Sequence, residues 1–397
     1  MARISIVTSG HVSTNPRVWR EADALAGGGH EVTVIGVCFD PMQAEIDKEM
    51  LSTRSWIYQA AADLRSHSLW HRGRARVGRT LLAGNVRDPY ALGYAVDRVL
   101  TSAIKQKADL TITHLEVAMW VGAKLHKRGF RVGVDIEDWY SESKAETNTS
   151  RARFLRALEQ DILNRSVHAT TMSHAMADAL TVRYQCPKPK VVYNSVPYFA
   201  GCGSVGATAS PVRLMWFSQT LGRDRGLQDV FAALPLLKGD WTLELRANAS
   251  FDMRSWIDSQ VAPALRSRVH IEPTVPPEQL SCVVAKCDIG LAPEPPSCGN
   301  KALTIANKVF QYLQCGLLVA ASDTAGQREI LTAFRQGGCL YSSGESSSLA
   351  DILNSWLNDP VRLKASKQAI ASEANQRFAY ERQARTLLDS VNRGLEC

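Results

Sequence analysis

The stretch that decides the fold runs from Ser297 to Glu329 and reads SCGNKALTIANKVFQYLQCGLLVAASDTAGQRE. It predicts a helix that begins near Thr304, a good N-cap residue, and ends at Gly316, because glycine suits the left-handed position after a last helical turn. Leu317 to Ala321 is apolar throughout, as in a parallel strand that is buried on both faces. A polar loop and a further helix follow. This alternation predicts an α/β fold with a doubly wound parallel sheet.

The predicted helix has two different sides. Apolar residues recur on one side at spacings of three and four, namely Ile305, Val309, Tyr312 and Leu313. Asn307, Lys308 and Gln311 lie on the other side and place a cation beside two amides. One interpretation is a binding surface, because ligands of open parallel sheets bind at the carboxyl ends of the strands. The alternative is that Lys308 and Gln311 form the solvated side of an ordinary amphipathic helix.

Alternating strands and helices occur on both sides of residues 200–211, a segment rich in Gly, Ser, Ala and Thr. Such a composition is typical of an interdomain linker. We therefore predict a doubly wound domain over residues 1–199 and a second one that begins at residue 212. A chain of 397 residues is long enough for two hydrophobic cores.

The loops after the first strand of each half are candidate binding loops. The loop that begins at Gly10 lacks the Gly-x-Gly-x-x-Gly pattern, which argues against a dinucleotide-binding dehydrogenase. The loop after Ser218 carries Arg223 and Arg225 just before a helix that begins at Leu227. Backbone amides at a helix start attract phosphate, and an arginine adds a charge-assisted hydrogen bond. The alternative is a surface loop with two solvated arginines.

Two further strands of the first half end in chemically useful residues. One ends at His114, whose imidazole could orient a bound ligand or help a hydroxyl group lose its proton; the alternative is a histidine bonded to nearby backbone. The next is followed by an acidic loop that contains Glu137 and Asp138. These acids could bind a cation or a polar ligand, or they could belong to a solvated loop. The chain has no Asp-x-Asp pattern, so we predict no metal site.

The segment from Asn307 to Val319 resembles the donor-binding segment of the group 1 (family 4) retaining glycosyltransferases. The resemblance implies the GT-B fold, in which two Rossmann-like doubly wound domains face a central cleft. It also implies that the second Rossmann-like domain covers residues 212–375 and that residues 376–397 form a terminal helix that returns to the first domain. The family commonly has two glutamates where this chain has Leu303 and Gln311. Glu294 lies near this region but does not occupy either position.

The resemblance also implies roles for individual residues. The implied donor-binding residues are Ser218, Arg223, Arg225, Asn307, Lys308, Gln311 and Gly326. The implied catalytic residues are His114, Arg225 and Lys308. The implied acceptor-side residues are Gly10, Arg17, Glu137 and Asp138. Arg17 has an alternative interpretation as a surface arginine next to a helix start.

The resemblance implies that the chain moves a sugar from a nucleotide-diphosphate sugar to a hydroxyl group, with retention and without metal or cofactor. The acceptor is expected to be a glycan, a lipid-linked molecule or a small molecule. Because the chain lacks the two glutamates, an alternative function is that of a non-catalytic subunit that binds nucleotide sugars. A sugar-nucleotide epimerase is a third possibility, because such enzymes can share the fold.

Composition adds expectations about location. The formal net charge of +7 favours anionic partners, although we expect no nucleic-acid partner. No apolar stretch is long enough to span a membrane and no signal peptide is evident, so we expect a cytoplasmic protein. Residues 65–87 contain six arginines and no acid, interleaved with Trp70 and other apolar residues. This segment either contacts an anionic membrane surface or carries arginines that meet only water.

Overall fold

The computed structural model describes residues 1–65, 68–144, 147–200 and 211–396. The chain divides into two compact units. The first comprises Met1–Val192, Cys298–Asn300 and Gln383–Cys397, and the second comprises Tyr193–Ser297 and Lys301–Arg382. Most of the predicted linker, residues 201–210, lies outside the described residues.

The described strands of the first unit form a seven-stranded parallel sheet in the order β3-β2-β1-β4-β5-β6-β7. The strands are β1 (Arg3–Val7), β2 (Glu31–Cys38), β3 (Ile57–Asp63), β4 (Leu110–His114), β5 (Val132–Ile136), β6 (His168–Thr171) and β7 (Lys190–Val191). The helices are α1 (Pro16–Gly27), α2 (Pro41–Leu51), α3 (Ser68–Ala83), α4 (Val96–Gln106), α5 (Leu115–His126), α6 (Ser150–Arg165) and α7 (His174–Tyr184). The alternation of these elements produces a doubly wound fold.

The described strands of the second unit form a six-stranded parallel sheet in the order β10-β9-β8-β11-β12-β13. They are β8 (Val212–Thr220), β9 (Trp241–Asn248), β10 (Val269–Glu272), β11 (Ile289–Ala292), β12 (Leu318–Ser322) and β13 (Gly338–Tyr341). The helices that follow β8 in the chain are α8 (Leu227–Ala233), α9 (Phe251–Gln260), α10 (Pro277–Val284), α11 (Gly299–Leu303), α12 (Asn307–Gln314), α13 (Ala325–Ala333), α14 (Ser346–Leu357), α15 (Pro360–Phe378) and α16 (Tyr380–Glu396).

Each sheet has a point at which the strand order reverses. It lies between β1 and β4 in the first sheet and between β8 and β11 in the second. The loops that follow the two neighbouring strands diverge at such a point and leave a crevice at the carboxyl edge, where ligands of open α/β sheets bind. Each unit therefore has one crevice of this kind between its central strands.

The deciding stretch differs from its prediction in detail. Helix α12 begins at Asn307 rather than near Thr304, and Ala306 precedes it without a side-chain cap. Gly316 has a φ of 84°, as expected for a glycine after a last turn, and the strand follows at Leu318. The solvated-side interpretation of Lys308 and Gln311 is wrong, because both side chains are buried. Helix α12 packs against its own sheet, α10 and α15, so almost its whole circumference is covered.

The second core lies on both faces of its sheet. Alternate residues of β8 point to opposite faces, so Leu214 and Trp216 join one cluster while Met215 and Phe217 pack in the other. Tyr312 and Leu313 of α12 belong to the latter cluster. This packing fixes α12 across the carboxyl edge of β11.

None of the described helices is both long enough and apolar enough to cross a membrane.

Candidate functional site

The loop between β8 and α8 lies at the reversal point of the second sheet. Gly226 ends this loop with a φ of 75°. A Cβ atom there would lie 1.7 Å from the carbonyl oxygen of Pro293, the residue that follows β11. Only glycine fits such a left-handed position with so close a backbone approach. The start of α8 is therefore held beside the loop that follows β11.

Basic side chains surround this loop. The side chain of Arg225 is 40% exposed, and Arg223 is exposed with its guanidinium 5.7 Å from the ring centre of Trp256. Lys301 Nζ donates to the Asp224 carbonyl oxygen at 3.1 Å and contacts the Asp224 carboxylate at 3.4 Å. The loop thus presents positive charge at a helix start, which suits a phosphate group.

Lys308 lies on the other side of the crevice. Its side chain is 8% exposed in α12, its ammonium group pairs with Glu294, and its Nζ lies 5.0 Å from the ring centre of Trp216. Trp216 is itself fully buried in the middle of β8. A cation near an indole face gains a favourable electrostatic contact. Lys308, Glu294 and Trp216 therefore bring α12, β11 and β8 together at one edge of the sheet.

A hydrogen-bonded chain extends this arrangement to β12. Ser322 Oγ donates to the carbonyl oxygen of Glu294 at 2.5 Å. Gln327 Nε2 donates to the carbonyl oxygen of Ser322 at 2.7 Å and to its hydroxyl at 2.9 Å. Thr324 caps α13 by accepting from the Gln327 amide. The loops after β11 and β12 are consequently held together beneath Lys308.

The other predicted donor residues have different surroundings. Gln311 lies about one helical turn after Lys308. Its Nε2 donates to Ser281 Oγ of α10 at 2.7 Å, whereas Lys308 pairs with Glu294. Asn307 is exposed and accepts from Asn194 at 3.0 Å. Gly326 packs against the backbone of residues 303–304, where a Cβ atom would lie 2.3 Å from the Thr304 carbonyl oxygen. The predicted stripe of three polar side chains therefore diverges.

Ser218 lies where β8 loses its regular pairing with β9. The register of the two strands shifts between Phe217 and Thr220, and Ser218 is half-buried there. Such irregularities often occur next to functional sites.

The first unit has a buried charged cluster at its own reversal point. Arg17 of α1 is 5% exposed; its Nε donates to Asp135 at 2.5 Å and its Nη1 donates to the Val192 carbonyl oxygen at 2.7 Å. The interpretation of Arg17 as a surface arginine is therefore wrong. Asp135 is the fourth residue of the buried strand β5, where an unpaired charge would be costly. The buried carboxylate of Asp135 therefore explains why the guanidinium of Arg17 is also buried.

His114 is fully buried at the end of β4, and its Nε2 pairs with the carboxylate of Glu21 in α1. The alternative of a histidine bonded to nearby backbone is thus wrong. Burial lowers the pKa of His114, but the charges of Glu21, Asp135 and Glu137 outweigh it and raise this pKa to about 9. The ring is therefore an imidazolium at neutral pH. Its Nδ1 has no partner among the residues that the structure describes.

The other three predicted acceptor-side residues lie in the loops that follow β1 and β5. Glu137 accepts from Asn15 Nδ2 at 2.9 Å, and burial raises its pKa to about 7 against the opposing charge of His114. Asp138 accepts from Asn300 Nδ2 at 2.7 Å. Gly10 is half-buried in the loop after β1, and a Cβ atom on it would meet only Thr14 at 3.9 Å. The structure thus gives no steric reason for glycine at position 10.

One group in the described part of the chain has the residue types of a metal site. Potential ligand atoms of Glu21, His114 and Asp135 lie within 4.8 Å of one another. Glu21 is already paired with His114, however, and Asp135 is paired with Arg17. A cation there would have to displace a guanidinium and an imidazolium from their carboxylates. The group therefore suits internal charge neutralisation better than a metal ion.

Sequence reasoning missed several of these residues. Asp135 could have been found, because it is a charged residue in the otherwise apolar strand VGVDI. Glu21 lies one turn after Arg17 in α1, which places the two on one face. Trp216 could not have been found, because a tryptophan in an apolar strand is normally a core residue.

Comparisons with known proteins agree with this geometry. Residues 14–197 match the family described as "Glycosyl transferase 4-like domain", and residues 212–359 match "Glycosyl transferases group 1". The chain belongs to the group 1 glycosyltransferases. No curated protein matches it by sequence.

Solved structures show that this glycosyltransferase has the GT-B fold. Sucrose-phosphate synthase from Thermosynechococcus elongatus aligns with a TM-score of 0.75 at 15% identity, over 99% of this chain and 98% of that one. Anabaena HepE in complex with UDP and glucose has a TM-score of 0.71 at 17% identity, over 99% and 100%. A variant of S. aureus TarM in complex with fondaparinux, α-GlcNAc-glycerol and UDP has a TM-score of 0.72 at 7% identity, over 99% and 100%.

Proposed function

We propose that this glycosyltransferase moves a sugar from a nucleoside-diphosphate sugar to a hydroxyl group, with retention at the anomeric carbon and without a metal ion. UDP-sugars are the first donors to test, because structures of HepE hold UDP or UDP-glucose. The acceptor is a glycan, a lipid-linked molecule or a small molecule. The second unit would hold the donor and the first unit the acceptor.

The observation that carries this proposal is the arrangement of cations around the crevice between β8 and β11. Transfer requires the departing diphosphate to be stabilised more strongly in the transition state than in the bound donor. Arg225 at the start of α8 and the ammonium of Lys308 flank this crevice. Fixed positive groups of this kind can stabilise the leaving diphosphate without a metal ion.

The protonation state of His114 in the first unit supports a role for this residue in holding a sugar or an acceptor. An imidazolium carries a proton on both nitrogens, so it has no lone pair with which to act as a base. With its pKa raised to about 9, His114 is in this form at neutral pH. His114 would therefore orient a sugar or an acceptor by donating from Nδ1, while the proton of the acceptor hydroxyl leaves by another route.

A transfer assay tests the function. Purified chain is incubated with a panel of UDP-, GDP- and dTDP-sugars and candidate acceptors, with and without EDTA, and products are identified by NMR. We expect an α-linked product from an α-linked donor, formed equally in EDTA. Lys308→Ala and Arg225→Ala should each lower kcat by about 10²–10³-fold, as with removal of one donor from an oxyanion site. Arg254→Ala, an exposed change in α9, is the control.

Other outcomes would contradict the proposal. Near wild-type rates in both variants would remove the two cations from the mechanism. A sugar altered without any acceptor would indicate an epimerase, whereas nucleotide-sugar binding without turnover would indicate a non-catalytic subunit. A β-linked product or loss of activity in EDTA would overturn retention or metal independence separately.

We also propose that α3 contacts an anionic membrane surface. Its inner face is covered by the unit, with Ala75 and Leu82 buried. An outward stripe with spacings of seven and four consists of Trp70, Val77 and Leu81, all exposed, with Trp70 at 63%. Arg72, Arg76 and Arg79 are also exposed and form a second stripe on the opposite flank of the helix. A helix that exposes apolar residues on one flank and basic residues on the other suits the interface of a bilayer that contains anionic lipid.

Vesicle co-sedimentation tests this contact. We expect retention on vesicles with phosphatidylglycerol, weak retention on phosphatidylcholine alone, and release by salt. Replacing all three stripe arginines with glutamine should weaken binding by about 1 kcal/mol for each arginine. Trp70→Ser should also weaken it, whereas Phe251→Ser, which removes an equally prominent aromatic from the second unit, should not. Equal retention on both vesicle types would refute the contact.

A further inference from the structure

Glu294 is a half-buried acid for which the proposed function has given no role. It follows β11 at the reversal point of the second sheet, and its side chain is 19% exposed. Its Oε1 pairs with Lys308, and its backbone carbonyl accepts from Ser322. Its Oε2 is buried and has no hydrogen-bond partner in the described part of the chain. A buried carboxylate oxygen without a partner is costly and requires an explanation.

The residues around Glu294 show that it lies at the crevice between β8 and β11. Pro293 packs directly against Gly226, so the neighbouring loop is the one that carries Arg225. At the two positions where the resemblance leads one to expect glutamates, Leu303 carries no charge and Gln311 bonds to Ser281. Glu294 is therefore the carboxylate that lies beside Lys308 in this crevice.

Charge decides which kind of group Glu294 can bind. A phosphate oxygen next to an unpartnered carboxylate oxygen would be repelled. A hydroxyl group can donate to it, and hydrogen bonds to a charged acceptor are among the stronger ones. The ammonium of Lys308 has three N–H groups, so pairing with Glu294 leaves donors for a diphosphate.

We propose that Glu294 binds a hydroxyl group of the donor through Oε2, while its Oε1 holds Lys308 in place for the diphosphate. This inference rests on the proposed function, since it assumes a nucleoside-diphosphate sugar. The hydroxyl belongs either to the ribose or to the transferred sugar. Glu294 is thus a donor-binding residue and, through Lys308, a positioning residue.

Calorimetric titration with matched ligands tests the inference. Wild type, Glu294→Gln and Glu294→Leu are titrated with UDP, 2′-deoxy-UDP and UDP-glucose, and in parallel with GDP, 2′-deoxy-GDP and GDP-mannose. Glu244→Gln is the control, because Glu244 is also partly buried and paired with an arginine, on β9. Thermal unfolding of every variant checks that it is folded, and Glu294→Gln keeps the test possible if the leucine variant is not.

The pattern of affinities distinguishes the outcomes. If the ribose hydroxyl is the ligand, wild type binds the ribonucleotide about tenfold or more tightly than its 2′-deoxy form, and this preference disappears in the Glu294 variants. If the sugar hydroxyl is the ligand, the preference for nucleotide sugar over nucleotide disappears instead. An equal change for all three ligands of a series overturns the contact with the donor hydroxyl and leaves Glu294 only as a positioning residue for Lys308, whereas no change overturns both roles. Either result leaves the proposed function intact. Absence of any binding by wild type overturns both.

Discussion

At the scale of single residues, the loop between β8 and α8 depends on one glycine. Gly226 combines a φ of 75° with a backbone approach that leaves no room for a Cβ atom next to Pro293. Gly239 has a similar φ of 88°, but a Cβ atom there would meet nothing within 4 Å. The two glycines therefore separate the cost of a left-handed backbone from the cost of a clash.

Gly226→Ala should lower the free energy of unfolding more than Gly239→Ala. The latter should cost about 1 kcal/mol, the price of left-handed backbone for an alanine. The clash with Pro293 should add about 1–3 kcal/mol, as for other overpacked sites. Urea unfolding measures both. Gly226→Ala should also weaken nucleotide binding, because α8 must move away from Glu294. Equal costs for the two variants would contradict the close approach.

The pair of His114 and Glu21 predicts a pH dependence of stability. The folded chain holds the His114 proton up to a pKa of about 9, whereas the ordinary value is 6.5. The native state therefore binds more protons than the unfolded state between these values, and stability falls as pH rises through that window. Asp135, Glu137 and His168 also face this group. We expect the free energy of unfolding, measured in urea, to fall from pH 6.5 to 9.

Glu21→Gln provides the test of this explanation, since it removes the main charge that raises the pKa of His114. The variant should be less stable near pH 6.5 and should show a flatter profile up to pH 9. Glu137 also makes the free energy of unfolding fall as pH rises, but at lower pH, because its pKa is raised from 4.5 to about 7. An unchanged slope above pH 7 in Glu21→Gln would refute the role of this pair.

The elements of the deciding stretch were predictable because their signals are local. Gly316 adopts the left-handed backbone that ends α12, and the apolar run before Ser322 forms a buried strand. The start of α12 was not predictable, because Thr304 makes a good cap in isolation while Gly326 of α13 packs against its carbonyl group. The burial of Lys308 was not predictable either. It depends on Trp216 and Glu294, which are distant in sequence.

The position of α12 depends on a contact between an aromatic ring and a glycine. A Cβ atom on Gly290 of β11 would lie 2.2 Å from the ring of Tyr312. The Tyr312 hydroxyl lies 3.1 Å from the Met215 carbonyl oxygen and 3.3 Å from that of Leu291, within donating distance of either. The ring thus lies across two strands, and it sets the height of α12 above the sheet.

Gly290→Ala should displace α12 and cost about 1–3 kcal/mol of stability, since the core there is already filled. Tyr312→Phe should cost about 1 kcal/mol, the net value of one hydrogen bond. Urea unfolding gives both values, and nucleotide titration should show weaker binding for Gly290→Ala because Lys308 moves with α12. Combining Gly290→Ala with Tyr312→Leu should relieve part of the clash. Fully additive costs in this double-mutant cycle would contradict direct contact.

At the scale of the whole molecule, the fold class followed from a pattern that occurs twice. Each half repeats strand and helix with a candidate binding loop after its first strand, and each sheet has its reversal point at that strand. Contacts between residues that are far apart in the sequence could not be predicted. Arg17 with Asp135 and His168 with Ser390 are examples, because only the folded topology brings such residues together.

The chain also returns to its first unit after completing the second. From Gln383 onward, α16 is part of the first unit. His168 Nδ1 lies 3.0 Å from Ser390 Oγ, and Arg131 donates to the Leu395 carbonyl oxygen at 3.1 Å. A Cβ atom on Gly394 would lie 2.9 Å from the Val167 carbonyl oxygen. Helix α16 therefore packs against the start of β6, next to the cluster that contains His114.

Gly394→Leu should loosen this helix from the first unit and leave the second unit unchanged. The added side chain cannot fit beside Val167, so we expect a cost of about 1–3 kcal/mol confined to the first unit. Asn392→Leu adds a similar side chain at an exposed position of α16 and should change stability by no more than about 0.5 kcal/mol. Hydrogen exchange measured by mass spectrometry separates the units. Faster exchange in β5 and β6 with unchanged β8 and β11 is expected, whereas equal acceleration in both sheets would show that α16 stabilises the whole chain.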